Sequence, residues 1–133
     1  MITPGVLNLT IYQGATFQKT LKWITNTVDP VTHEVIKVSK DLTGYTAKMQ
    51  IREFVESDEV LIELSTENGR LTIETLPDGD SGINMFIDAE DTASLNFMNA
   101  VYDLKIISSG GYVYRIVAGS VELSKEITRE FND

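Results

Sequence analysis

The side chains with the widest chemical scope are a single histidine and several close carboxylates. His33 lies between Asp29 and Glu34, and imidazole flanked by carboxylates can bind a metal or move a proton. The chain has one histidine and no cysteine, so the nitrogen and sulfur ligands that usually complete such a site are lacking. We therefore expect His33 to be a solvated side chain in a loop.

The segment Asp78-Gly-Asp-Ser-Gly82 begins like a calcium-binding loop, with carboxylates at alternate positions. The bidentate glutamate expected at loop position 12 is replaced by Ala89. Aspartate and glycine are also the residues that a tight turn requires. We predict a hairpin turn here rather than a calcium site.

Asp88, Glu90 and Asp91 form a third carboxylate group, and Asp58-Glu59 is a further acidic pair. Two carboxylates can hydrolyse a glycosidic bond when a cleft fixes their separation, but no feature of the sequence predicts a cleft. Capping of a short helix explains the first group equally well. Neither a Gly-x-Ser-x-Gly elbow nor a glycine-rich phosphate loop occurs. We therefore expect no catalytic, cofactor-binding or metal-binding residues and no small-molecule substrate.

Composition indicates one folded acidic domain spanning residues 1–133. Apolar residues make up 42% of the chain and charged residues 23%, as in ordinary globular proteins. The 20 acidic and 11 basic residues give a net charge of −9 and a pI near 4.5, with no cluster of Lys and Arg in the sequence. Such a chain is repelled by phosphate, so nucleic acid and anionic membranes are poor partners. No signal peptide or membrane-spanning segment is apparent, and the absence of cysteine fits synthesis in the cytoplasm.

The dominant hydrophobic period is two, which predicts antiparallel strands with one buried face. Alternating apolar positions define seven strand segments, which are Leu7–Ile11, Tyr45–Ile51, Val60–Leu64, Leu71–Ile73, Ile83–Ile87, Tyr102–Ile106 and Val121–Ile127. Residues 25–39 form either a small projecting hairpin or a long loop. Residues 88–97 form the one helical candidate, a short crossover helix in which Asp88 caps the first turn and Ala93 packs inward with Leu95 or Phe97.

Turn residues separate these segments roughly every 8–12 positions, a spacing typical of a β-sandwich or barrel. Gln13-Gly14, Asp78–Gly82 and Ser109-Gly110-Gly111 are turn candidates, and Asn68-Gly69 is a strong hairpin signal because both residues tolerate positive φ. The short helix and the inward aromatics Trp23 and Tyr102 favour an immunoglobulin-like antiparallel sandwich. Its predicted core consists of Trp23, Tyr45, Met49, Ile51, Ile73, Met85, Ile87, Tyr102, Leu104 and Ile106.

Several motifs resemble those of small virion proteins of tailed bacteriophages. In order, these are Gln13-Gly-Ala-Thr-Phe-Gln-Lys-Thr-Leu-Lys-Trp23, Asp41-Leu-Thr-Gly-Tyr-Thr-Ala-Lys-Met-Gln-Ile-Arg52, Val101-Tyr-Asp-Leu-Lys105, Ala118-Gly119 and Glu126-Ile-Thr-Arg129. The strand-and-turn plan is similar to that of the N-terminal module of phage upper-baseplate proteins. The pattern departs from the family at Ile127, where the family has Val, and at the long segment 25–39.

The motifs also have structural explanations. Gly44 supplies the turn before the Tyr45 strand, while Leu42 closes the core end. The Tyr102 hydroxyl ties down a neighbouring connection, as in a tyrosine corner. Gly119 suits a bulge or a close approach between the last two strands.

The resemblance implies a virion structural or assembly protein of the tail, neck or baseplate, made in the host bacterial cytoplasm. Its partners would be other virion proteins and copies of itself, contacted through segment 25–39, the first strand at 6–12 and the C-terminal residues 125–133. Two alternatives stay open, a capsid decoration or head-fibre protein and a receptor- or carbohydrate-binding module. Exposed aromatics on one face would favour the binding module, and the candidates are Tyr12, Phe54, Tyr112 and Tyr114.

Overall fold

A computed structural model describes residues 4–129, which form an all-β fold with eleven strands and one short helix. The strands are β1 (Gly5–Val6), β2 (Leu9–Tyr12), β3 (Phe17–Leu21), β4 (Ile24–Val28), β5 (Val35–Ser39), β6 (Thr46–Arg52), β7 (Ile62–Ser65), β8 (Leu71–Thr75), β9 (Ser81–Ile87), β10 (Asn99–Ile107) and β11 (Val113–Ser124). The helix α1 (Ala89–Ser94) lies between β9 and β10. Among the described residues, no helix has the length and apolar character of a membrane span.

The strands form two main sheets and a separate two-stranded ribbon. Sheet A has the order β1-β11-β10-β6-β7, with β2 also paired to β11, and sheet B has the order β3-β9-β8. Strands β4 and β5 pair only with each other and form the ribbon. Of the two alternatives that the sequence left open for residues 25–39, the structure shows the hairpin.

One hydrophobic core joins the inward faces of both sheets, because the buried positions alternate along the strands as period two requires. Seven of the ten predicted core residues are buried, while Trp23, Tyr45 and Ile73 are half-buried at its margin. The fully assembled core consists of Leu9, Ile11, Leu42, Ala47, Met49, Ile51, Ile62, Leu64, Leu71, Ile83, Met85, Ile87, Leu95, Phe97, Ala100, Tyr102, Leu104, Ile106, Val117, Val121 and Leu123.

The turn at Asn68-Gly69 crosses from one sheet to the other and does not close a hairpin. It joins β7 in sheet A to β8 in sheet B. The Asn68 side-chain oxygen accepts hydrogen bonds from the backbone N–H groups of Ser65 (3.0 Å) and Arg70 (2.9 Å). These donors are therefore satisfied within the turn and do not require a neighbouring strand, so β7 and β8 separate. Gly69 has φ +83°, as the glycine signal predicted.

The N-terminal strand is broken in two and is parallel to β11, contrary to the antiparallel expectation for this part of the chain. β1 pairs with Val117 and Ala118, whereas β2 pairs with residues 121–124. Between them, Leu7 and Asn8 cross over Gly119, where a Cβ atom would overlap the Leu7 carbonyl. The close approach at Gly119 is thus to the β1–β2 connection and not to β10.

The Tyr102 hydroxyl donates a hydrogen bond to the Leu7 carbonyl oxygen (2.6 Å) and so fixes this connection. The prediction that Tyr102 ties down a neighbouring segment is confirmed. Burial raises the pKa of Tyr102 to about 12, because the phenolate would lose its solvation. The same tyrosine thus packs in the core and holds the N-terminal edge of sheet A.

The predicted crossover helix is present, and Leu95 and Phe97 are buried as expected, but Ala93 does not pack inward. The Asp88 side chain accepts a hydrogen bond from the Asp91 N–H (2.8 Å) and caps α1, as expected. Ala93 is exposed, whereas Thr92 is buried. The prediction favoured the apolar residue, but the position facing the core requires a hydroxyl that binds the backbone of the β2–β3 turn.

The last strand ends earlier than its hydrophobic pattern predicts, although it also begins earlier in the chain. β11 ends at Ser124, and Ile127 is exposed beyond it. Within the strand, the register with β10 shifts between Leu104 and Lys105, so that Lys105 pairs with Arg115 and Ile116 is an extra residue. This β-bulge changes which side chains of β11 face the core.

Candidate interaction surfaces

The ribbon carries most of the exposed aliphatic surface of residues 4–129. Direct pairing of Val28 with Val35 and of Thr27 with Ile36 sets its register. One face presents Ile24, Val28 and Val35, and the other presents the β-branched residues Thr25, Thr27, Ile36 and Val38. The exposed fractions of Ile24, Val28, Val31, Val35, Ile36 and Val38 range from 44% to 83%. Neither face of the ribbon is covered by a sheet.

The ribbon tip is a structured turn. The Asp29 carboxylate accepts hydrogen bonds from the N–H groups of Val31 (2.7 Å) and Thr32 (3.1 Å), which lower the Asp29 pKa. His33 adopts φ +62° and is exposed, so the prediction of a solvated loop histidine is confirmed. Within residues 4–129, no three His, Asp or Glu side chains come together as a metal site.

Side-chain contacts attach the base of the ribbon to the sheets. The Trp23 ring lies 5.3 Å from the Tyr114 ring, centroid to centroid, and the Lys40 ammonium lies 6.0 Å from the Trp23 ring. The Lys40 N–H donates to the Trp23 carbonyl oxygen (2.8 Å), which continues the pairing of β4 and β5 by one step. The ribbon therefore leaves the body of the protein from a defined pair of residues.

The carboxylates of the calcium-like segment bind a lysine. Lys22 Nζ lies 2.5 Å from Asp78 and 2.9 Å from Asp80, and this contact links the ribbon base to the β8–β9 turn. The hydrogen bonds to Asp78 and Asp80 raise the pKa of Lys22. The hydrogen bond that Asp78 accepts from Lys22 lowers the pKa of Asp78. The turn itself is as predicted, since β8 and β9 pair as a hairpin across it.

The other predicted structural motifs are also visible. Leu42 is fully buried, and Gly44 has φ +83° in a turn closed by the hydrogen bond from the Tyr45 N–H to the Leu42 carbonyl. The Asp41 carboxylate accepts hydrogen bonds from the Thr43 hydroxyl and N–H, which lower the Asp41 pKa. The motif Asp41–Tyr45 thus closes the core before β6.

A cleft of about 860 Å³ lies between α1, the Gln13-Gly14 turn and residues 125–129. Glu90 lines this cleft, while Asp91 pairs with Arg70 (2.8 Å) and Asp88 caps the helix, so the three predicted carboxylates have separate roles. Gln13 donates to the Leu95 carbonyl (2.8 Å) and accepts from the Glu126 N–H (3.1 Å), which ties residues 125–129 to the helix end. Residues 130–133 of the predicted C-terminal contact lie outside the described residues.

The four candidate aromatic residues, all within the described part of the chain, do not form one binding platform. Tyr12 and Tyr112 are exposed but lie near opposite ends of β11, because Tyr12 pairs with Ser124 whereas Tyr112 precedes the strand. Tyr114 is half-buried against Trp23, contrary to its candidacy as a binding residue. Phe54 is exposed in the β6–β7 loop.

Sheet A brings together three cations that are far apart in the sequence. Lys48 on β6 pairs directly with Lys105 on β10, and Lys105 pairs with Arg115 on β11. We call these three residues the cation row. All three are exposed on the face of sheet A that points away from the core, here called the outer face. Like charges placed directly opposite in a sheet are destabilising, so the row is costly in the free protein.

The cation row has few counterions in the described structure. Among the described residues, the row forms one ion pair, between Arg115 and Asp103 at 3.7 Å. Lys48 and Lys105 form no ion pair with a described residue. The sequence shows no cationic cluster because the three residues come from three different strands. The strand register is needed to predict that they lie side by side, and the bulge in β11 makes that register irregular.

An acidic loop borders the same face. Residues 53–59 belong to the connection from β6 to β7 and include Glu53, Glu56, Asp58 and Glu59, none of which forms an ion pair with another described residue. Arg52 holds the loop by donating to the Ser57 carbonyl (2.5 Å). Val55 reaches the outer face, where it lines a shallow groove of about 450 Å³ that also contains Lys105 and Arg115.

A scan against protein-family models and a search of curated proteins each found no match to this chain.

Proposed function

We propose that this protein is a structural and assembly component of a tailed-bacteriophage particle, in the tail, neck or baseplate. It acts through protein–protein contacts, with other virion proteins and copies of itself as partners, and without nucleic acid, membrane or small-molecule substrate. The ribbon is the observation that carries the proposal. The virion-protein motifs of the sequence supply the class of assembly.

The ribbon suits strand addition to a neighbouring protein. Isolated two-stranded ribbons are marginally stable in water, and the outer edges of β4 and β5 pair with no other described strand. These edges offer backbone donors and acceptors for β-augmentation, while the aliphatic side chains on both faces offer area to bury. The ribbon has one lysine against Asp29 and Glu34, a formal charge of −1 within a chain of −9. It is therefore a segment where an acidic partner meets little repulsion.

We further propose that sheets A and B form an immunoglobulin-like sandwich. The support is the shared core, the three connections that pass between the sheets, and the aromatic pair at the ribbon base. Such a sandwich is a rigid body on which an edge ribbon and exposed loops can be displayed. This arrangement serves contacts at the margins better than catalysis.

A non-catalytic role agrees with the state of the titratable groups. The displaced carboxylate pKa values belong to Asp29, Asp41 and Asp78, and each is lowered by donors within a turn or by Lys22. A general acid needs a raised carboxylate pKa near the working pH. His33, the one imidazole, is exposed at the ribbon tip.

The test is to locate the protein in intact phage particles and in separated heads and tails, with an antibody against the purified chain. We expect signal in tails or in the neck and baseplate fractions. Signal confined to heads would overturn the tail assignment in favour of a capsid decoration or head-fibre protein. Absence from particles would overturn the virion assignment altogether.

A further inference from the structure

We propose that two copies of this chain pack the outer faces of sheet A against each other about a twofold axis. The acidic loop of each copy then lies on the cation row of the other. This interface is separate from the ribbon and holds whether or not the protein belongs to a virion.

The two charged features are complementary in number and position. The cation row carries three positive charges and the acidic loop four negative ones. The row crosses the sheet at Lys48, whereas the loop begins after Arg52, about 13 Å further along β6 at ~3.3 Å per residue. The loop borders the outer face, which Val55 reaches, so a twofold axis in the plane of that face can place each loop over the opposite row. A self-complementary surface of this kind closes as a dimer and does not continue as a filament.

The bulge in β11 builds the row. On the C-terminal side of the bulge in β11, Val117 pairs with Leu104 and faces the core. Arg115 lies two residues earlier in the same strand, so regular alternation would turn it towards the core as well. The extra residue Ile116 instead puts Arg115 on the outer face beside Lys105 and turns Tyr114 towards Trp23. Bulges commonly redirect a side chain for function. Here the redirection creates a like-charge contact that a partner's carboxylates would relieve.

Apolar groups beside the charges supply area to bury. Phe54 and Val55 in the acidic loop are 53% and 77% exposed, and Val101 lines the groove next to Val55. Exposed ion pairs contribute little individually, so burial of these side chains is needed for a lasting contact. A nucleic-acid strand covering the row would meet Asp103 and run onto the acidic loop, which disfavours phosphate as the ligand.

The experiment is sedimentation velocity of the purified full chain over a range of concentrations, in about 0.15 M and about 1 M sodium chloride. We expect a concentration-dependent dimer that dissociates in high salt. The row variant Lys48→Glu/Lys105→Glu and the loop variant Glu56→Lys/Asp58→Lys should each weaken dimerisation by at least about tenfold. An equimolar mixture of the two variants should restore it, because both halves of the interface are again attractive.

The matched control is Lys19→Glu/Lys40→Glu, which changes the net charge as the row variant does, at exposed positions outside the row. This control should dimerise like the unmodified chain. The row variant should still melt cooperatively, because it replaces the like-charge contact between positions 105 and 115 by an ion pair and leaves one like-charge contact, between positions 48 and 105. Cooperative melting excludes misfolding as the cause of dissociation. A monomer at every concentration, a dimer that survives the row variant, or a mixture that stays monomeric would overturn the proposal.

Discussion

The hydroxyl of Thr92 joins α1 to the turn that links the two sheets. It accepts a hydrogen bond from the Gly14 N–H (3.0 Å) and donates one to the Ala15 carbonyl (2.8 Å), and the residue is fully buried. Replacing it with the isosteric Val leaves both backbone groups without a partner. We expect Thr92→Val to lower the free energy of unfolding by about 1–3 kcal/mol, measured by urea denaturation.

Thr92→Ser is the matched control, since it keeps the hydroxyl and removes only a methyl group. It should retain most of the stability that Thr92→Val loses. If Thr92→Val kept the stability and Thr92→Ser lost it, packing of the methyl group, and not the hydrogen bonds, would be what the site requires.

Tyr102 couples stability to alkaline pH. The unfolded phenol loses its proton near its ordinary pKa of 10.0, whereas the pKa in the folded protein is about 12. Between these values the unfolded state releases a proton that the folded state retains, so the free energy of unfolding decreases as the pH rises. Below pH 10 the contribution is fully present. We expect Tyr102→Phe to lose part of this dependence, measured by denaturation at about pH 9 and about pH 11.

The unmodified chain should therefore be more stable than Tyr102→Phe at the lower pH, by about 1 kcal/mol for the lost hydrogen bond to Leu7. The difference between the two should shrink at the higher pH. A constant difference would show that Tyr102 does not titrate on unfolding.

Individual core and turn residues could largely be predicted from the sequence. Burial at Met49 or Leu104 follows from alternation along one strand, and Gly44 or Gly69 follows from the need for positive φ. Thr92 could not be predicted, because its burial depends on a turn 77 residues away in the sequence. A polar residue in a short helix carries no local sign of a partner so distant.

At the scale of elements, the N-terminal strand crosses Gly119 more closely than other backbone approaches any of the remaining glycines. A methyl group at this position would overlap the Leu7 carbonyl carbon and oxygen. We expect Gly119→Ala to lower the free energy of unfolding by about 1–3 kcal/mol, the usual cost of overpacking. Chemical denaturation measures the loss.

Gly5→Ala is the control on the same edge of sheet A, because its nearest contact would be the Ile116 carbonyl oxygen at an ordinary 3.8 Å. This variant should be close to the unmodified chain in stability. If both variants were equally destabilised, loss of glycine at this edge, and not the crossing at Leu7, would be the cause.

Element types could be predicted more reliably than element partners. Period two marks the buried face of a strand, but it does not state which sheet the strand enters. For this reason β7 and β8 looked like a hairpin, although Asn68 satisfies the turn from within and lets the strands part. The parallel pairing of β1 and β2 with β11 likewise depends on contacts between the two ends of the chain.

For the whole molecule, the sequence predicted the projecting segment but missed the charged outer face. The ribbon is continuous in sequence, so a projecting hairpin or loop at residues 25–39 could be predicted before the structure was known. The cation row is assembled from positions 48, 105 and 115, and a bulge brings the third into line. A surface of this kind becomes visible only when the register of three strands is known.

The ribbon should be dispensable for folding and required for assembly. Its base is already a hydrogen-bonded pair, from the Lys40 N–H to the Trp23 carbonyl, so an Asn-Gly turn can replace residues 24–39 between them. The described core has no residue from β4 or β5, so we expect the melting temperature to change little. Incorporation into particles, measured by co-sedimentation with purified phage, should fall to background. A shortened chain that still assembles would show that the contact lies elsewhere, and one that fails to fold would show that the ribbon supports the sheets.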